Sequence, residues 1–273
     1  MQRHRFDLLM QLDKADIRLD CAALHIATDV YPYISVCKYI SVLDELAERI
    51  ADERPGLSAP RRYEAMRSIL VDCEEFTGND DDYSDPENHY LNRVLERRVG
   101  VPISLAIVWI EVARRLKWRV NGIGFPGHFL IRFDDRERFI VVDPFHRGRT
   151  LTVRDCRGIL AQQSDGNATF NTGLLQPVGT RHILARSLHN LRSLYIAQQD
   201  WNRLEFVLRR LAALEPKNGR YVQELAALRY SLGDVRSAYA HLNTYIQTRP
   251  SAMDLSIVRR QRDHLAAAIV ALN

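Results

Sequence analysis

The chain is poor in cysteine and carries no closely spaced pair of it: Cys21, Cys37, Cys73 and Cys156 stand far apart. Without a Cys-x-x-Cys spacing there is no cysteine framework for structural zinc. In a reducing compartment such thiols stay free and pack as small hydrophobes. Long apolar runs are also missing. No stretch approaches the roughly 18 apolar residues of a membrane-crossing helix, and no membrane partner is expected. Residues 1–16 hold no apolar stretch followed by a small-residue cleavage site, so no signal peptide is read and a cytoplasmic location is expected. The acidic stretch 78–88 lacks the glycine and closing glutamate of a calcium-binding EF-hand loop. It reads instead as a polar, turn-forming loop. No helix-turn-helix and no basic–aromatic stacking pattern is present, which argues against direct nucleic-acid binding.

What is present is a globular composition. Of 273 residues, 46% are hydrophobic and 26% charged, enough for one large or two ordinary domains. The net charge of +4 is unevenly spread. Residues 180–273 hold 14 basic and 7 acidic side chains, whereas residues 1–179 hold 24 and 27. The C-terminal part either suits an acidic protein or peptide partner or is a solvated arginine-rich helical surface.

Apolar spacing predicts helices through 17–50, broken at Tyr31-Pro32, and again over 62–76. In the second of these Tyr63, Met66, Ile69, Leu70 and Cys73 share a face, which makes Cys73 a core residue. A short helix over 89–98 is expected to end at Gly100. Residues 103–117 are apolar on nearly every side and mark a central, buried helix. Pro102 suits its first turn, where no amide donor is needed. From Val120 the period changes. Residues 120–124, 128–133 and 139–143 read as strands, with Asp134, Asp135, Arg136 and Glu137 turning between the last two. Helices followed by antiparallel strands give an α+β domain. Residues 147–179 carry no clear pattern.

From about Leu184 the chain reads as helical and repeats itself. Leu191, Leu194, Asp200, Leu204, Leu208 and Pro216 recur as Leu225, Leu228, Asp234, Ala238, Leu242 and Pro250, each pair 34 residues apart. That is the tetratricopeptide period, two helices to a unit. The expected division is therefore a domain over 1–179 and an all-helical repeat region over 180–273.

Several motifs together resemble the SirB1 family, whose members join a transglutaminase-like core to tetratricopeptide repeats. They are the stretch 91–105 with Gly100-Val101-Pro102-Ile103-Ser104, then Gly124-Phe125-Pro126-Gly127-His128-Phe129-Leu130, then Val142-Asp143-Pro144-Phe145. Gly78-Asn79-Asp80-Asp81-Asp82-Tyr83 and Pro86-Glu87-Asn88 fit as well, and the similarity runs over about 15–250. The resemblance implies a bacterial cytosolic protein with a papain-like core. In the related superfamily a thiolate opens the central helix, a His on the next strand takes its proton, and an Asp on the following strand orients that His. The helix there starts Gly-x-Cys-x-x-x-Ala. Gly100 and Ala106 match the ends of that pattern, and the cysteine position falls on Pro102. Proline has no nucleophile.

The candidate site residues follow from that gap. His128 and Asp143 are a retained pair, either an acid/base couple or a structural hydrogen bond. Ser104 lies about 200° around the helix from position 102. It is more readily a bond within the first helical turn than a stand-in nucleophile. Asn92, Glu96, Arg97, Pro102 and His146 are candidates to line the cleft, although such arginines and glutamates usually make ion pairs that fix loops. His128, Asp143 and His146 have no diagnostic metal spacing, and no metal or cofactor is expected. The expectation is a non-catalytic transglutaminase-like domain with repeats that bind a protein or peptide. The alternative is an amide-bond hydrolase or acyltransferase using His128 and Asp143 with an unrecognised nucleophile.

Overall fold

The computed structural model describes residues 3–13, 16–52, 58–135, 138–163, 169–249 and 253–271. It divides into two units: Met1–Arg5 with Leu12–Ser187, and Phe6–Gln11 with Leu188–Asn273. Helix α1 (Arg3–Leu9) spans the first of these boundaries.

In the first unit, α2 (Leu19–Ala27), α3 (Val36–Asp52), α4 (Ala59–Arg67) and α5 (Leu91–Arg97) precede the central helix α6 (Pro102–Arg115). The apolar run behaves as its composition requires. Eleven of the 14 residues of α6 are buried, and α2, α3 and α5 pack on it. Trp109, fully buried, meets the edge of Phe133 with ring centroids 6.1 Å apart. Two charged residues are buried with this helix, and both are partnered. Arg18 and Arg115 each reach Asp20 at 2.7 Å, while Arg114 and Arg115 reach Glu111 at 2.7 and 3.0 Å. Burial alone would push the Asp20 carboxyl up, but the two guanidiniums hold it down at about 2. Burial and the neighbouring Asp20 charge push Glu111 up.

After α6 come β3 (Val120–Ile123), β4 (Leu130–Asp134), β5 (Phe139–Asp143) and β6 (Arg149–Leu151), then α7 (Val153–Gln163) and β7 (Pro177–Val178). Two earlier short strands, β1 (Thr77–Gly78) and β2 (Val99–Gly100), pair in parallel. The five-stranded sheet has the order β6-β5-β4-β3-β7, with every neighbouring pair antiparallel. The α+β reading therefore holds. The hairpin turn between β4 and β5 is described only in part, since Arg136 and Glu137 lie outside the described residues.

Three local expectations are corrected. The helix over 62–76 changes at Ser68 into a π-helical turn, Ser68–Cys73, with Glu74 N donating to Ile69 O at 2.9 Å. The wider i→i+5 turn shifts the register, so Ile69, Leu70 and Val71 are buried and Cys73 is exposed. Cys37 is exposed too, Cys21 is half-buried, and among the four thiols only Cys156 is buried. The helix expected over 89–98 is α5, Leu91–Arg97, preceded by a separate 3-10 turn, Pro86–His89, and its cap is Arg98, not Gly100. Arg98 sits at φ 63° as the left-handed cap, with its guanidinium 2.7 Å from Glu74. The unpatterned 147–179 stretch supplies β6, α7, a 3-10 turn (Thr172–Leu175) and β7. Cys156 and Leu160 of α7 join a buried cluster with Ile123, Phe125, Leu130 and Val141.

Helix α8 (Thr180–Ala197) runs across the second unit boundary. The second unit continues with α9 (Trp201–Leu214), α10 (Arg220–Ser231), α11 (Val235–Thr248) and α12 (Leu255–Ala271). Its 34-residue period extends to individual hydrogen bonds. Asp200 caps α9 by accepting from Arg203 N at 3.0 Å, and Asp234 caps α11 by accepting from Ser237 N at 3.0 Å. Glu215 N donates to Leu211 O at 2.9 Å, as Arg249 N does to Tyr245 O at 3.1 Å. Pro216 follows α9, while Pro250 lies outside the described residues. Phe6, fully buried, belongs to this unit and lies under the Arg210 guanidinium, 4.9 Å from its ring centre.

Left-handed backbone repeats with the same period: Gln199 has φ 55° and Gly233 φ 81°. Glycine tolerates that conformation and glutamine is strained in it. A Cβ added at Gly233 meets nothing within 4 Å, so Gly233→Ala should lose about 1 kcal/mol from backbone strain alone. Gln199→Gly should gain a comparable or smaller amount. Urea denaturation of both variants checks this, and equal shifts of the same sign would contradict it.

Candidate functional site

The register of β4 against β5 brings the two polar residues of the motif together. Ile131 lies opposite Val142. The chain just before β4 therefore runs beside the chain just after β5. Gly127, at φ 67°, turns the chain into His128, and Asp143 closes β5. The Asp143 carboxylate, 2% exposed, takes four contacts. Its Oδ2 lies 2.8 Å from His128 Nε2 and 2.7 Å from His146 Nδ1. Its Oδ1 accepts from Phe145 N at 3.0 Å and His146 N at 3.4 Å. Burial would push this carboxyl up; the hydrogen bonds and charge of the two imidazoles bring it below the usual carboxylate range.

A carboxylate oxygen only accepts, so each imidazole carries a proton on the nitrogen facing it. In its neutral form His128 then has a lone pair on Nδ1, and His146 has one on Nε2. The His128 side chain is 11% exposed and lies edge-on to Phe145, centroids 6.2 Å apart. The His146 side chain is 58% exposed. His128, Asp143 and His146 are thus one cluster.

The start of α6 is built around Ser104, which is 1% exposed. Its hydroxyl donates to Asn88 O at 2.6 Å and accepts from Val101 N at 3.1 Å. A Cβ on Gly100 would lie 2.6 Å from this oxygen, so only glycine fits. Asn88 is fully buried; its amide donates to Asp82 O at 2.7 Å and its Oδ1 accepts from Asn79 at 3.0 Å. Asn79 N in turn donates to Gly100 O at 3.1 Å. The same loop reaches the other side of the site: Gly78 N donates to Phe145 O at 2.8 Å, and a Cβ at Gly78 would lie 2.6 Å from the Phe145 ring. The acidic loop is therefore a clamp that fixes both the helix start and the Asp-Pro-Phe turn. Asn79 and Asn88 were not among the candidate site residues, although both lie in the motifs at 78–83 and 86–88.

The remaining candidates lie on α5 and at the start of α6. Pro102 is the buried first residue of α6. Arg97 reaches Asp85 at 2.6 Å and Glu87 at 3.1 Å. Arg93 pairs with Glu87 through two bonds of 3.0 Å, and Glu96 is held by Arg93 and by the Tyr39 hydroxyl. Glu96 and Arg97 thus brace α5 against the preceding turn and α3. Asn92 is 1% exposed, and its Oδ1 has no partner among the described residues. None of these hydrogen-bonds to the His128–Asp143–His146 cluster. Among the described residues no cysteine does so either; Cys156 lies in its apolar cluster, where burial pushes its thiol up.

The chain is similar to known proteins over both parts. The transglutaminase-like superfamily model matches residues 38–189, and a tetratricopeptide-repeat model matches residues 191–263. A UPF0162 protein of Xylella fastidiosa is 35% identical over 255 residues, 92% of this chain and 91% of the relative. A UPF0162 protein of Pseudomonas aeruginosa is 35% identical over 179 residues, 64% of each chain. The F-box only protein 21 of Homo sapiens is 33% identical over 139 residues, 48% of this chain and 21% of that protein. No solved structure matches.

Removing the Ser104 hydroxyl takes a donor from the Asn88 carbonyl and an acceptor from the Val101 amide, both buried. Val101 N still donates to Asn88 O at 3.2 Å, so Ser104→Ala leaves neither group unpaired and should cost about 0.5–1.5 kcal/mol of stability. Chemical denaturation reads this directly, and a loss under about 0.5 kcal/mol would show that the hydroxyl does not secure the helix start.

Proposed function

The chain belongs to the transglutaminase-like superfamily and carries tetratricopeptide repeats, and from that premise we propose that it is a protein- or peptide-binding module whose core does not perform thiol acyl transfer. The observation that carries this reading is the start of α6. Pro102 stands where the resemblance puts the nucleophile, and the nearest hydroxyl on that helix, Ser104, is committed to Asn88 and Val101. A His–Asp pair without a nucleophile keeps the frame of the site but not the covalent step. We place the protein, on the motifs over 78–145, within the SirB1 family, and in the cytoplasm of a bacterium. No described helix is long and apolar enough to cross a membrane.

Binding is assigned to the repeat helices. Such repeats generally mediate protein–protein contacts. A groove of about 340 Å³ lies among α10, α11 and α12, lined by Ala226, Tyr230, Leu242, Arg260, His264 and Leu265 with neighbouring glutamines. Tyr230 is 47% exposed. An apolar floor rimmed by Arg260 and His264, on a region with twice as many basic as acidic residues, suits a segment that alternates acidic and apolar side chains. Nucleic acid and membrane are not its partners in this reading.

A fluorescent peptide of glutamate and leucine should bind the full chain and weaken as salt rises. Arg260→Glu should reduce its affinity about tenfold. A lysine–leucine peptide of the same length should bind worse than the acidic one. Equal affinity for both peptides, or no effect of Arg260→Glu, would overturn the assignment.

A further inference from the structure

A hydrogen-bonded acid/base pair needs one imidazole on its carboxylate, and here two share a single oxygen. His146 is the excess. Neither the binding reading nor the acyl-transfer frame uses it, yet its Nδ1 lies as close to Asp143 Oδ2 as His128 Nε2 does, at 2.7 and 2.8 Å. The three donor atoms all lie within 4.8 Å of one another. We propose that His128 Nε2, Asp143 Oδ2 and His146 Nδ1 are the ligands of one zinc-class divalent cation, with water completing its shell.

Several features of the cluster suit a cation. The donor set is two imidazoles and one carboxylate, a combination that takes zinc and its first-row neighbours. Zinc bonds of about 2.0–2.2 Å place tetrahedral ligands about 3.3 Å apart, so the two short N···O distances need open by only about half an ångström. The exposed His146 side chain supplies that movement and leaves one side open for entry and for water. Asp143 Oδ1 stays fixed by the Phe145 and His146 amides. The carboxylate is thereby oriented from behind, as outer-shell bonds orient metal ligands. The carboxylate is buried, unlike the exposed acidic clusters that often hold nothing. No proton is lost when the cation enters: on His128 the proton moves from Nε2 to Nδ1, and on His146 from Nδ1 to Nε2.

That double tautomer switch is the signature to measure. The full chain is stripped with a chelator and titrated with zinc chloride, by calorimetry and by long-range proton–nitrogen spectra of the imidazoles. One equivalent should bind, and the His128 and His146 nitrogens should exchange their protonated positions together. Cobalt(II) should give ligand-field bands of a site with nitrogen and oxygen donors, without thiolate charge transfer. His146→Ala, at an exposed position, should keep the fold and weaken the affinity at least about tenfold. Absence of saturable one-to-one binding would overturn the proposal. So would binding that leaves both tautomers unchanged, that survives His146→Ala undiminished, or that is lost in Cys37→Ser or Cys73→Ser.

Discussion

A carboxylate withdrawn from water has to be surrounded by donors, and in this core that carboxylate is Asp143. Two imidazoles occupy one of its oxygens and two backbone amides the other. The cost of leaving such a group unpaired, several kcal/mol, dictates the form of the chain on either side. The Asp-Pro-Phe turn must curl so that its amides point back. Gly127 must take a left-handed turn to deliver His128. Phe145, carried by the same turn, then abuts Gly78, and through Gly78 and Asn79 the constraint passes to Gly100 and the start of α6. The helix start and the His–Asp cluster are therefore one construction, held together by a loop that composition alone makes look like a solvated acidic turn.

This shared construction explains how a catalytic-looking frame persists around Pro102. The frame does not depend on the nucleophile. Pro102 fills the first turn of α6, where no amide partner is required, and Ser104 secures that turn from within. The buried ion cluster of Asp20, Glu111 and the three arginines fixes the other end of α6 against α2. Each end of the central helix thus has its own polar lock, and neither lock involves a thiol.

Much of this was legible in the sequence. The apolar run of α6, the period change after it, and the 34-residue repeat each reflect a spacing that burial imposes, and they carried through to α6, the sheet, and the caps at Asp200 and Asp234. The pairing of His128 with Asp143 followed from expecting a hairpin between their strands. What was not legible depends on contacts distant in sequence or on single backbone angles. No periodicity announces a π-helical turn, so Cys73 was read onto a core face it leaves. Arg98 shows nothing in its side-chain type of the left-handed angle it adopts. Asn79 and Asn88 matter only because β1 and β2 bring the loop to the helix. His146 could be placed near the site but not onto the same oxygen as His128, because that needs the turn geometry. Phe6 joins the repeat unit across about two hundred residues of chain, beyond any local pattern.

The proposed binding role requires that no activated nucleophile stand beside His128. The most direct test is mass-spectrometric mapping of the native chain after brief exposure to a thiol-reactive and a serine-reactive electrophile, in parallel with His128→Ala. The account predicts slow labelling of the exposed Cys37 and Cys73, identical in both proteins, with Ser104 and Cys156 untouched. Fast labelling of any single side chain that disappears in His128→Ala would contradict it and restore an acyl-transfer enzyme.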